Sequence, residues 1–90
     1  MECDLNNAHL EEAKLRRADL SGANLYRANL EYADLRGVNF TGADLRNAIF
    51  NGAILQYTNF GDADLSGASF RDAELRGARF SNTKVDGIQF

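Results

Sequence analysis

The side chains that could do chemistry are few, or else placed too regularly to suit it. One histidine, His9, stands near Glu11 and Glu12, and the single cysteine, Cys3, stands apart. A structural zinc site takes about four nitrogen or sulfur ligands, so these two make neither a metal centre nor an internal disulfide. Carboxylates are plentiful, but Asp19, Asp34, Asp44 and Asp64 share their local setting with Asn24, Asn29, Asn39 and Asn59. An acid that exchanges with an amide points to hydrogen bonding beside a turn, because general acid–base chemistry needs the ionisable group. There is no Gly-Gly pair of the kind that calcium-binding β-helix turns require, and no glycine cluster to cradle a phosphate. No nucleophile elbow is present either. Asn39-Phe40-Thr41 fits a glycosylation sequon, yet no secretion signal accompanies it, so it reads as chance. The expectation is a non-enzymatic chain with no catalytic residue, no metal and no cofactor.

Residues with no chemistry to do must then be read for architecture. The 90 residues are expected to form a single domain, 1–90, and 44% hydrophobic with 26% charged side chains suits a globular chain. No apolar run approaches the roughly eighteen residues of a membrane span, and Met1-Glu2-Cys3-Asp4 does not open like a signal peptide. A cytoplasmic chain that does not engage membranes is expected. Leucine, phenylalanine or valine falls at every fifth residue from Leu5 to Phe90, eighteen times without a miss. Alanine lies two residues earlier in thirteen of the eighteen, the exceptions being Cys3, Val38, Thr58, Thr83 and Ile88.

Period five suits neither common element. On an α-helix, residues five apart lie about 140° apart and would spiral over every face. On a flat strand they would alternate between faces. A chain that turns a corner once per five residues can aim every fifth side chain at one axis. Seven of the eight glycines sit two residues after the apolar one, a register they share with Asn7, Asn47, Asn82, Asp62 and Asp72. These residue types tolerate positive φ. Glu12, Arg17, Arg27, Tyr32 and Tyr57 hold the same register, so the expectation is that not every corner needs positive φ.

In Ala18-Asp19-Leu20-Ser21-Gly22, Ala33-Asp34-Leu35-Arg36-Gly37 and Ala43-Asp44-Leu45-Arg46 the chain resembles the pentapeptide repeat family, over essentially its whole length. The resemblance implies an all-β fold, a right-handed quadrilateral β-helix with about twenty residues per coil. About four and a half coils follow, a rod of roughly 22 Å at ~4.8 Å per coil. The phenylalanines favour four sides independently. From Phe40 they recur every ten residues, so four sides stack Phe50, Phe70 and Phe90 on one wall and Phe40, Phe60 and Phe80 on the opposite wall. Three or five sides would scatter the rings.

Three functional readings follow, from different classes. The first is a solenoid scaffold or protein-interaction module whose flat sides display side chains to a protein partner. The second comes from the family, some of whose members resemble DNA and inhibit type II topoisomerases such as DNA gyrase. A ~22 Å stretch of duplex carries on the order of thirteen negative charges, whereas ten basic against thirteen acidic residues leave this chain only -3. The same arithmetic argues against direct nucleic-acid binding. The third is a fragment or designed array without activity of its own, because the repeat begins at Cys3 and stops on Phe90 without a polar cap.

Two surfaces are candidates for contact. Ile49 and Ile54 occupy an outward register otherwise rich in Asp and Asn; with Tyr32 and Tyr57 at corners and Arg36 and Arg76 at the rim, they form the candidate partner surface. The second is the C-terminal end, where Val85, Ile88 and Phe90 would meet a second copy in a weak homodimer.

Overall fold

A computed structural model of the chain describes residues 3–90; the opening Met1-Glu2 discussed above lies outside the described residues. The backbone turns a corner every five residues and returns above itself after twenty. Parallel bridges join Asp4 to Asn24, Asn24 to Asp44, Asp44 to Asp64 and Asp64 to Lys84, and the other three registers repeat the pattern. Twenty residues in steps of five make four sides. Side 1 comprises 3–5 and its repeats at 23, 43, 63 and 83. Side 2 starts at residue 8, side 3 at 13 and side 4 at 18, each repeating likewise. The chain measures 27 × 24 × 22 Å, so at this length the rod is about as wide as it is long.

Each side contributes one bridging residue, whose amide and carbonyl both pair with the preceding coil, while the residues on either side of it pair with the next. Asn24 donates its N–H to the Cys3 carbonyl at 2.8 Å, and its carbonyl accepts from Leu5 N–H at 2.7 Å. At each corner the N–H three residues after the apolar residue closes a turn on that residue's carbonyl, as Ala8 does on Leu5. Every corner needs positive φ. Glycines do so at 68–74°, but Glu12, Arg17, Arg27, Tyr32 and Tyr57 do so too, at 59–62°. The expectation that these five corners escape it is therefore wrong. A negative φ followed by a positive one is the type II pattern, and every corner of this coil adopts it.

Beside the corners, the Asp and Asn side chains of the bridging register accept from the backbone N–H two residues on, as Asn24 does from Tyr26 at 3.1 Å and Asn59 from Gly61 at 2.9 Å. Only an oxygen acceptor is needed, which is why acid and amide interchange.

The inward side chains are fully buried between Ala23 and Phe70, while those of the end coils are half-covered or exposed. The rings form the two expected ladders. Phe40, Phe60 and Phe80 stack at 5.4 and 5.2 Å, and Phe50, Phe70 and Phe90 at 4.8 and 5.8 Å. The ladders meet edge-to-face across the interior, Phe50 on Phe60 at 5.9 Å and 82°. Both geometries suit the aromatic quadrupole. Thr58, in an alanine place, buries a hydroxyl that donates to the Leu35 carbonyl one coil below at 2.8 Å, so the core keeps its polar group satisfied.

Candidate interaction surface

No cluster of His, Cys, Asp and Glu suited to a metal ion exists among the described residues. The interior is filled, so any contact must be made on the outer sides and their corners. Side 3 stands out. Its bridging register carries Lys14, Asp34, Ile54 and Glu74, with Tyr32 on the corner before it and Tyr57 on the corner after it.

The two tyrosines are the most exposed large hydrophobic side chains of the middle coils, at 67% and 61%. Each lies along its corner toward the next coil, where a glycine makes room. A Cβ at Gly52 would sit 2.5 Å from the Tyr32 ring, and one at Gly77 2.6 Å from the Tyr57 ring. Gly52 is the corner between Ile49 on side 2 and Ile54 on side 3, so the Tyr32 ring enters the coil of both isoleucines. Ile49 and Ile54 are half-buried, less exposed than outward placement alone suggests. Neither can cap the corner that follows it. Asn51, after Ile49, instead turns its own carboxamide upward to accept from the Ser69 hydroxyl and the Arg71 N–H, at 2.6 and 3.0 Å.

The arginines of the rim behave differently from one another. Arg36 grips Asp34 with two nitrogens, Nε to Oδ1 at 2.9 Å and Nη2 to Oδ2 at 2.8 Å, and Arg16 adds Nε to Oδ2 at 2.6 Å. Hydrogen bonds from Arg36 and then Arg16 hold the Asp34 carboxyl well below the usual carboxylate range, and Asp34 raises Arg36 in return. Arg76 is exposed and, like Arg17, makes no ion pair among the described residues. At the C-terminal end, Val85 and Phe90 are exposed, Ile88 is partly buried, and Phe80 joins the open face.

Two open grooves lie along the edges of side 3. One, of about 400 Å³, is lined by Arg16, Arg17, Arg36, Gly37, Gln56 and Tyr57. The other, of about 560 Å³, runs between Glu12, Lys14, Tyr32 and Asp34. The sequence reading passed over Arg17, although a signal was present. Arg17, Tyr32 and Tyr57 are each followed twenty residues later by a glycine, Gly37, Gly52 and Gly77, the mark of a long corner side chain lying over the next coil.

The family model for pentapeptide repeats matches residues 3–42, 33–72, 43–82 and 53–90, with eight copies of the repeat. The chain belongs to the pentapeptide repeat family. Its four-sided coil is accordingly the family's right-handed quadrilateral β-helix. Among solved structures it is similar to a pentapeptide repeat protein of the Arabidopsis thaliana thylakoid lumen, with TM-score 0.91 and 31% identity over 94% of this chain and 59% of that one. It is similar also to a pentapeptide repeat protein from Nostoc Pcc 7120, with TM-score 0.81 and 35% identity over 96% and 83% of the two chains. A third is HetL of the same cyanobacterium, a pentapeptide repeat protein involved in heterocyst differentiation regulation, with TM-score 0.71 and 30% identity over 97% of this chain and 49% of HetL. The chain thus spans about three fifths of the plant protein and half of HetL. No curated protein matches it by sequence. No helix among the described residues is long and apolar enough to cross a membrane.

Proposed function

We propose that the chain is a non-enzymatic protein-interaction module whose contact surface is side 3 with its two corners, extending over Ile49 onto side 2. The observation that carries this reading is where the corners are costly. Positive φ costs an ordinary L residue about 1–2 kcal/mol, less for Asn and Asp, and almost nothing for glycine. Twelve of the seventeen corners use Gly, Asn or Asp. Of the five that do not, Glu12, Tyr32, Arg17 and Tyr57 flank side 3, and only Arg27 lies elsewhere. Full-sized side chains are thus kept at a conformational cost around one side, which also carries Ile54 and is edged by both grooves. The coil needs positive φ at every corner, but it does not need a full-sized side chain there, and keeping one at that cost supports a role outside folding.

Placement of a photo-crosslinking amino acid tests the proposal. At position 54 it should trap a protein partner from the native host's lysate, and at Lys84, on the opposite side 1, it should not. Equal adducts at both positions, or none at 54, would contradict the assignment. Once a partner is in hand, unchanged affinity of the Ile49→Asp, Ile54→Asp double variant would remove the isoleucines from the surface.

A further inference from the structure

We propose that the corner after side 3 binds an acidic peptide segment that carries an apolar residue among its carboxylates. This rests on the reading of side 3 as the contact surface and adds the chemistry of the partner. Along that corner run Arg16 and Arg17 in the first coil, Arg36 in the second and Arg76 in the fourth, and no acidic residue occupies either corner register. The corner before side 3 is the reverse, with Glu11, Glu12, Glu31 and Asp72 against Arg71. One side therefore separates a basic edge from an acidic one.

The basic edge is only partly neutralised from within. Asp34 takes Arg16 and Arg36, and Glu74 receives the Gln56 amide at 2.9 Å. Arg17 has no such partner among the described residues. It is exposed, holds φ of 61°, and lies against Gly37 at the floor of the 400 Å³ groove. An incoming carboxylate meets Arg17 without competition and shares Arg16 and Arg36 with Asp34, and guanidinium groups suit carboxylates through paired N–H donors. The exposed Tyr57 ring lines the groove, and half-buried Ile54 precedes it on side 3 of the same coil, so the segment needs an apolar or aromatic residue next to its acids.

The same layout disfavours a nucleic acid. The arginines span three coil spacings, about 14 Å at ~4.8 Å each. A polyanion broad enough to cover side 3 would also meet Glu12, Glu31 and Asp72. A short acidic strand running along the coil axis avoids them.

Fluorescence anisotropy with the labelled peptide Glu-Glu-Phe-Glu-Glu tests this against Lys-Lys-Phe-Lys-Lys and a short DNA duplex. Arg17→Asn and Tyr57→Asn are suitable variants, because asparagine accepts the left-handed corner and circular dichroism can confirm that each folds. The acidic peptide alone should bind, more weakly as salt rises, and each variant should lose about threefold to fivefold in affinity. Equal binding of the lysine peptide, tighter binding of the duplex, or indifference to Arg17→Asn overturns the proposal. So does saturable self-association abolished by Glu12→Lys, which would make a second copy's acidic edge the occupant. If the peptide fails while crosslinks at position 54 persist, the acidic partner falls and the contact surface stands; if both fail, both fall.

Discussion

A tyrosine ring lying over a glycine makes a measurable demand on that glycine. Gly52 and Gly42 have nearly the same φ, 71° and 70°, but a Cβ at Gly52 meets the Tyr32 ring whereas one at Gly42 meets nothing within 4 Å. Gly42→Ala should therefore lose about 1–2 kcal/mol for the left-handed corner alone. Gly52→Ala should lose more in urea denaturation, and the excess should vanish in a Tyr32→Ala background. Equal losses in the parent would show that the ring does not rest where the structure puts it. Asp34 offers a second test. Its carboxyl is depressed by Arg36 and Arg16, so its contribution is complete above the unfolded value near ~3.9 and is lost as pH falls through its lower folded value. Asp34→Asn should be less stable than the parent at neutral pH, with the gap narrowing as pH falls from about 4 to about 2. A gap that stays constant across that range would mean that the arginines do not hold the carboxylate.

The sides stand or fall on the inward ladder. Leu55 and Phe60 are fully buried between coils on both faces, so replacing either with alanine should cost about 2–5 kcal/mol in chemical denaturation. A loss below about 1 kcal/mol would contradict their inward placement. Much of this scale was legible in the sequence, because a five-residue period leaves one geometry that brings Leu5 through Phe90 onto a common axis. The phenylalanine ladders were legible too, since rings recurring every ten residues fall on just two opposite walls when the coil has four sides. The corners were less so. Residue type at Glu12, Arg17 or Tyr57 says that glycine is absent, but the need to close the coil overrides that local preference. The grooves were hidden for a different reason. The neighbour that shapes each one lies twenty residues away, as Gly37 does for Arg17, and shows only once the coil length is known.

At the scale of the whole molecule, the open face of the last coil shows Phe80, Val85 and Phe90 at 37%, 43% and 73% exposure. We propose that in the 90-residue chain this face takes a second copy, on the order of 500 Å² per partner against the ~800 Å² typical of a stable complex. Sedimentation velocity up to about 1 mM should then show a weak dimer that Phe90→Glu or Ile88→Lys weakens further. A dimer indifferent to both changes, or a 9.9 kDa species throughout, would defeat it. The larger claim is that the side chains at the costly corners of side 3 serve a partner and not the coil. It is tested most directly by the urea midpoint of the triple variant Arg17→Asn, Tyr32→Asn, Tyr57→Asn. With asparagine better suited to φ near 60°, the midpoint should match or exceed that of the parent. A fall worth more than about 1 kcal/mol would show that these side chains hold the solenoid together, and side 3 would lose its claim to be the binding surface.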